Sequence, residues 1–146
     1  MFARSSHLVT NPDDMPLSRS TEVSKWEPLS RGSAMDFRIK RALLFIQGHF
    51  CEHLTANQVA RHVGISRSRF EHLFGREAGR CFKTYVRVLR LTKAKDLLVD
   101  KTLEVKEVAY MVGYGFAANF TRDFKRYVME TPSVYRLEFR RNSTFC

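Results

Sequence analysis

The sequence predicts an all-α protein of about seven helices, in which two helix-turn-helix subdomains are joined by a long central helix. Three observations predict it. Apolar residues recur at helical spacing from position 37 onward, and no segment shows strand alternation of useful length. Glycines and capping residues cut that pattern into short pieces. A stretch beginning at Val59 recurs, in register, at Val108.

Taken in order, residues 1–34 are rich in Ser, Pro, Asn, Asp and Arg with aperiodic apolar residues, and are expected to form a disordered leader pinned only locally by Trp26. The folded domain is expected over 35–146. Ser33 and Asp36 have capping-box-like spacing, and Phe37, Ile39, Ala42, Leu43 and Ile46 follow at helical intervals until Gly48 marks the end. Thr55 and Gln58 form a T-x-x-Q box ahead of Val59, Ala60 and Val63. Gly64 supplies a turn, Ser66 can cap a helix carrying Phe70, Leu73 and Phe74, and Gly75 and Gly79 punctuate its end. The first helix-turn-helix is therefore placed at about 55–75. From Phe82 to about Val99 a stripe of Phe82, Tyr85, Val86, Leu89, Ala94, Leu97 and Leu98 opposes Lys83, Arg87, Arg90, Lys93 and Lys95. This linker helix, about 82–99, would be roughly 27 Å long, enough for a strut between two smaller units. A helix from Glu104 to Gly113 and another from Ala117 to Val128 give the second helix-turn-helix, about 104–128, and Thr131–Pro132 is a good start for a last short helix.

The repeat carries most of the information. Val59, Ala60, Val63 and Gly64 recur as Val108, Ala109, Val112 and Gly113, each 49 residues later, as Leu54 recurs at Leu103. After the turn the offset becomes 50, so Phe70 and Phe74 match Phe120 and Phe124. A small residue is needed where two helices cross closely, and glycine permits the backbone of a short turn. The aromatic pairs are expected to fill the corners as core, not to stack on bases.

The formal charge is +10 and the isoelectric point is near 10.0, so an acidic polyelectrolyte is the natural partner. Residues 1–34 are neutral, with Arg4, Arg19, Lys25 and Arg31 balanced by Asp13, Asp14, Glu22 and Glu27. The excess, 21 basic against 11 acidic residues, belongs to the folded part. Cys51, Cys81 and Cys146 have no C-x-x-C spacing, which fits reduced thiols in a cytosolic protein. The sequence has no signal peptide, membrane span, metal-ligand spacing, phosphate loop or nucleophile elbow, so neither metal, cofactor nor enzyme activity is expected. Membrane binding is poorly supported.

The segments VGISRSRFEHLFGREAG, RLTKAKDLL, VAYMVGYGFAANFTRDFKRY and TPSVYR together resemble the DNA-binding domain of the AraC/XylS transcriptional regulators, over about Leu54 to Arg136. The resemblance implies a sequence-specific transcription regulator of bacteria, usually an activator that touches RNA polymerase, located in the cytoplasm at the nucleoid. It implies double-stranded promoter DNA as partner, with two recognition helices entering successive major grooves, which lie about 34 Å apart. By position, the first would present Arg67, Ser68, Glu71 and His72, and the second Ala117, Ala118, Thr121 and Arg122, with Lys125 and Arg126 near phosphates. Arg122 suits guanine or phosphate; Glu71 suits a cytosine amino group but repels phosphates. Arg76, Arg80, Lys83 and Lys93 would add salt-dependent attraction. Ala117 and Ala118 stand where polar residues are usual, Glu104 where a hydroxyl cap is, and Met129 where glycine is. Two reading heads in one chain imply a monomer on DNA. The alternatives are a protein-interaction module derived from such a domain, or the DNA-binding fragment of a larger effector-responsive regulator. The starting Met1 favours a complete chain.

Overall fold

The computed structural model describes residues 35–143. The leader expected over 1–34, with Ser33 and Trp26, and the terminal Cys146 lie outside the described residues. Those described form seven α-helices and no strand: α1 Phe37–His49, α2 Ala56–Val63, α3 Arg67–Ala78, α4 Phe82–Leu98, α5 Val105–Met111, α6 Ala117–Val128 and α7 Pro132–Ser143.

Local chemistry sets most boundaries. Asp36 is the α1 cap, its carboxylate accepting from the Arg38 amide at 2.9 Å. The Thr55–Gln58 box closes reciprocally. Gln58 Oε1 accepts from the Thr55 amide at 2.8 Å, and the Thr55 hydroxyl accepts from the Gln58 amide at 3.3 Å. Ser66 caps α3 by accepting from the Arg69 amide at 3.3 Å. Gly75 lies inside α3, which ends at Gly79.

There are two cores, and α4 is a wall of both. The first gathers Ile39, Ala42 and Ile46 of α1, Val59 and Ala60 of α2, Phe70 and Phe74 of α3, and Phe82, Tyr85, Val86 and Leu89 of α4. The second gathers Leu91, Ala94 and Leu98 of α4 with Val108, Ala109 and Val112, then Phe120, Phe124 and Tyr127 of α6. A single apolar stripe therefore underdescribes α4. Val88 and Leu91 are buried as well, and Leu91 opens the face turned to the second core.

The duplication extends past the helix-turn-helix. Phe74 meets Tyr85 edge-on at 5.3 Å and 82°, and their counterparts 50 residues on, Phe124 and Tyr135, meet at 5.7 Å and 73°. The first half of α4 thus does for unit one what α7 does for unit two. Gly79 has φ +68 and its counterpart Met129 has φ +69, and Met129 is the one non-glycine residue with positive φ among the described residues.

In each unit an arginine on the closing helix also secures the end of the opening one. Arg90 donates to the Phe50 and Glu52 carbonyls at 2.7 and 2.8 Å, just past α1. Arg136 donates to the Leu98 carbonyl at 3.1 Å, at the end of α4. The Glu52 carbonyl also accepts from the Leu54 amide, at 2.8 Å, so Arg90 adds to a turn that is already closed.

The loop that Arg90 holds is the seam between the units. A Cβ on Gly113 would stand 2.5 Å from the Cys51 carbonyl oxygen and 2.9 Å from its carbon. Gly113 (φ +93) is thus demanded by its own backbone and by the neighbouring unit, whereas Gly64 (φ +76) has open space where its Cβ would go. The Arg90 guanidinium also lies 5.9 Å over the Tyr114 ring, on the far side of the seam.

Candidate nucleic-acid interface

The Ser66 cap and the inward Phe70, Leu73 and Phe74 fix how α3 faces solvent. Arg67, Ser68, Glu71 and His72 are all exposed on it, together with Arg69 and Arg76. Arg67 Nε donates to Glu71 Oε1 at 3.1 Å. An exposed pair of this kind is worth only a few tenths of a kcal/mol, but it offsets the carboxylate's charge on a helix face otherwise lined by arginines. A groove of about 620 Å³ separates α3 from the starts of α2 and α4, lined by Thr55, Asn57, Arg67, Glu71, Cys81 and Lys83 among others.

On α6, Ala118, Arg122, Lys125 and Arg126 are exposed, and Thr121 is half-buried. Ala117 is half-buried against the second core, so of the two alanines Ala118 is the one turned to solvent. Two exposed residues there went unnoticed in the sequence, Phe116 and Asn119. Asn119 was legible as the third residue past the cap; Phe116 carried the signal of standing where Ser66 stands in the first copy.

Asp123 locks α6 in place. It accepts from the Tyr114 hydroxyl at 3.2 Å and pairs with Arg87 Nε of α4 at 3.3 Å, while Arg87 Nη1 donates to the Tyr127 hydroxyl at 3.0 Å. Burial pushes the Tyr114 hydroxyl far above the usual tyrosine range, and the Asp123 carboxylate adds to it, so Tyr114 stays a donor. Burial opposes the Arg87 charge, but the Tyr127 bond and Asp123 outweigh it and raise its pKa, whereas burial lowers that of Arg90. Arg87 and Arg90, expected on the face opposite the apolar stripe, are therefore positioning groups, and Lys95 sits 5.8 Å over the Tyr135 ring. Lys83 and Lys93 are exposed.

Burial pushes the Cys51 thiol up, away from the thiolate a nucleophile needs. Among the described residues no group of three His, Cys, Asp or Glu is placed to hold a metal ion, and no helix is long and apolar enough to cross a membrane.

The model of a family described as helix-turn-helix domain matches residues 59–138. The xylose operon regulatory protein of Escherichia coli K12 is 31% identical over 138 residues, which cover 92% of this chain and 35% of that protein. The chain belongs to the AraC/XylS family. It carries the AraC-type DNA-binding domain. The lactose operon transcription activator of Staphylococcus xylosus is 30% identical over 105 residues, 72% of this chain and 38% of that protein. Among solved structures, the C-terminal domain of AraT, a response regulator from Geobacillus stearothermophilus, superposes with a TM-score of 0.69 at 30% identity, covering 73% of this chain and 88% of that one. The chain thus spans little more than a third of the length of these curated relatives, 35% and 38%.

Proposed function

We propose that this chain regulates transcription by inserting α3 and α6 into adjacent major grooves on one face of promoter DNA, binding as a monomer to an asymmetric site of roughly 20 base pairs. The observation that supports it best is that two recognition helices, built alike, are both exposed and basic and share one helix, α4. On this reading Arg67, Ser68, Glu71 and His72 read the first half-site, with Arg67 and Glu71 acting as a pair. Ala118, Thr121 and Arg122 read the second, Arg122 through guanine O6 and N7. Ala117 serves mainly by letting α6 pack closely. Lys125 and Arg126 face phosphates, and the groove beside α3, where two helix N-termini meet Lys83, takes another.

The protein is an activator that touches RNA polymerase at the bacterial nucleoid, in the cytoplasm, and has no enzymatic activity of its own. The name of the staphylococcal relative supports activation. The 35% coverage of the xylose regulator favours a second reading, in which these residues are the DNA-reading part of a larger effector-responsive regulator.

Selection of bound sequences from a random duplex library, at about 150 mM salt, tests the proposal. That salt suppresses the sequence-independent attraction expected of a +10 chain. A two-part motif with halves about one helical turn apart is expected. A one-part motif would leave a single working head, and no enrichment would move the protein to the interaction-module reading.

A further inference from the structure

Phe116 occupies an unusual place. It is the N-cap of α6, fifty residues after the Ser66 cap of α3, and unlike Ser66 it makes no side-chain bond to the first turn. Replacing a serine cap by an apolar residue ordinarily destabilises a helix start. An aromatic ring that gives up a cap would be expected to recover the loss by burial, yet Phe116 is 71% exposed.

Its neighbours narrow what such a ring could meet. Gly115 before it is exposed and has open space where a Cβ would go. Ala117 and Ala118 follow, so the tip of α6 offers no side-chain donor or acceptor until Asn119. Asn119 stands three residues on, next to Phe116 on the helix surface, and Arg122 three residues beyond Asn119. Arg122 is 73% exposed, with only a loose 3.8 Å pairing to Asp123. Lys125 and Arg126 continue the run. An apolar tip leading a cationic helix suits an anionic partner that presents an isolated apolar group. In the major groove that group is the 5-methyl of thymine, which accepts apolar contacts from side chains such as Phe and Ala.

We propose that Phe116, with Ala118 beside it, reads a thymine 5-methyl in the second half-site, so that the second unit adds a methyl contact to the hydrogen bonds given above to Arg122. This rests on the DNA-binding reading above, and it gives the tip of α6 a specificity that does not require polar side chains.

The test uses the full chain and a duplex drawn from the selection. Each thymine of the second half-site is replaced in turn by deoxyuridine, which removes only the methyl group. Binding is expected to weaken about fourfold at one or two positions, equivalent to about 0.8 kcal/mol. Phe116→Ala should lose that difference while still binding. Phe116→Ser should lose it too, while melting no lower than the parent because it restores the cap, which separates lost reading from lost folding. Equal binding of thymine and deoxyuridine duplexes at every position would overturn the proposal and leave DNA binding intact. So would a Phe116→Ala protein of unchanged affinity, which would assign the apolar tip to a protein partner. A chain that binds no duplex at all would overturn the DNA-binding reading, and this proposal with it.

Discussion

Replacing each turn glycine by alanine, Gly64→Ala and Gly113→Ala, separates two costs that the sequence makes look identical. Both glycines have positive φ, +76 and +93, where an L residue pays about 1–2 kcal/mol. At Gly64 nothing lies within 4 Å of the new methyl, so that strain is the whole effect. At Gly113 the methyl would also stand 2.5 Å from the Cys51 carbonyl oxygen, a backbone atom that cannot rotate away. Forcing an extra group into such a contact adds about 1–3 kcal/mol, for a total of about 2–5 kcal/mol. For a domain of this size each kcal/mol lowers Tm by about 3–5 °C, so Gly64→Ala should lose about 5 °C and Gly113→Ala about 10–20 °C by calorimetry. Arg90 holds the Cys51 loop through the Phe50 and Glu52 carbonyls. In an Arg90→Ala background the loop can retreat, and the two changes should cost less together than their sum, by about 1 kcal/mol in a double-mutant cycle. Equal losses at the two glycines, or strict additivity with Arg90→Ala, would refute the seam as a rigid contact.

Three further outcomes follow from the same geometry. Met129→Gly should raise Tm, by about 1 kcal/mol of stability, because Met129 sits at φ +69 and its side chain is exposed; a lower Tm would show that the thioether is packed. Arg122→Ala should weaken specific binding by about 1–3 kcal/mol and relax preference at one base pair, and uniform weakening across sequences would assign Arg122 to a phosphate. The raised pKa of Tyr114 means that the unfolded chain ionises first, so stability is flat below about pH 10 and falls above it by up to about 1.4 kcal/mol per pH unit. Tyr114→Phe should make that alkaline limb shallower in denaturant titrations, and an unchanged slope would count against the burial of this hydroxyl.

Much of the fold was legible because it is written twice. The Val-Ala-Val-Gly and Phe-Phe matches placed both helix pairs, and Thr55, Gln58 and Ser66 placed the starts of the first. What escaped involves partners distant in the chain. Helical spacing assigns a residue to a face of its own helix, so Arg87 and Arg90 read only as lying opposite the apolar stripe, although their partners Tyr127 and Phe50 lie 40 residues away in either direction. One-face logic likewise missed Leu91, since it cannot register a helix that serves two cores. Met129 was visible as a missing glycine, but its positive φ is a tertiary outcome. Four predicted contacts of α3 are at the surface, whereas on α6 the half-burial of Ala117 and the exposure of Phe116 depend on how the turn, longer by one residue, presents the helix.

That α4 is one unbroken helix has a consequence for how the two heads can change over time. A flexible tether absorbs an inserted residue; α4 cannot. Each residue added within Phe82–Leu98 would rotate everything beyond it by about 100° and advance it by about 1.5 Å. Leu91, Ala94 and Leu98 would swing out of phase with Phe82, Tyr85 and Leu89, leaving one core or the other facing water. Length variation is thereby barred from the strut and left to the connecting segments, such as the turn before α6 that is one residue longer than the turn before α3, so the angular offset between the two units is held by the helical pitch of α4.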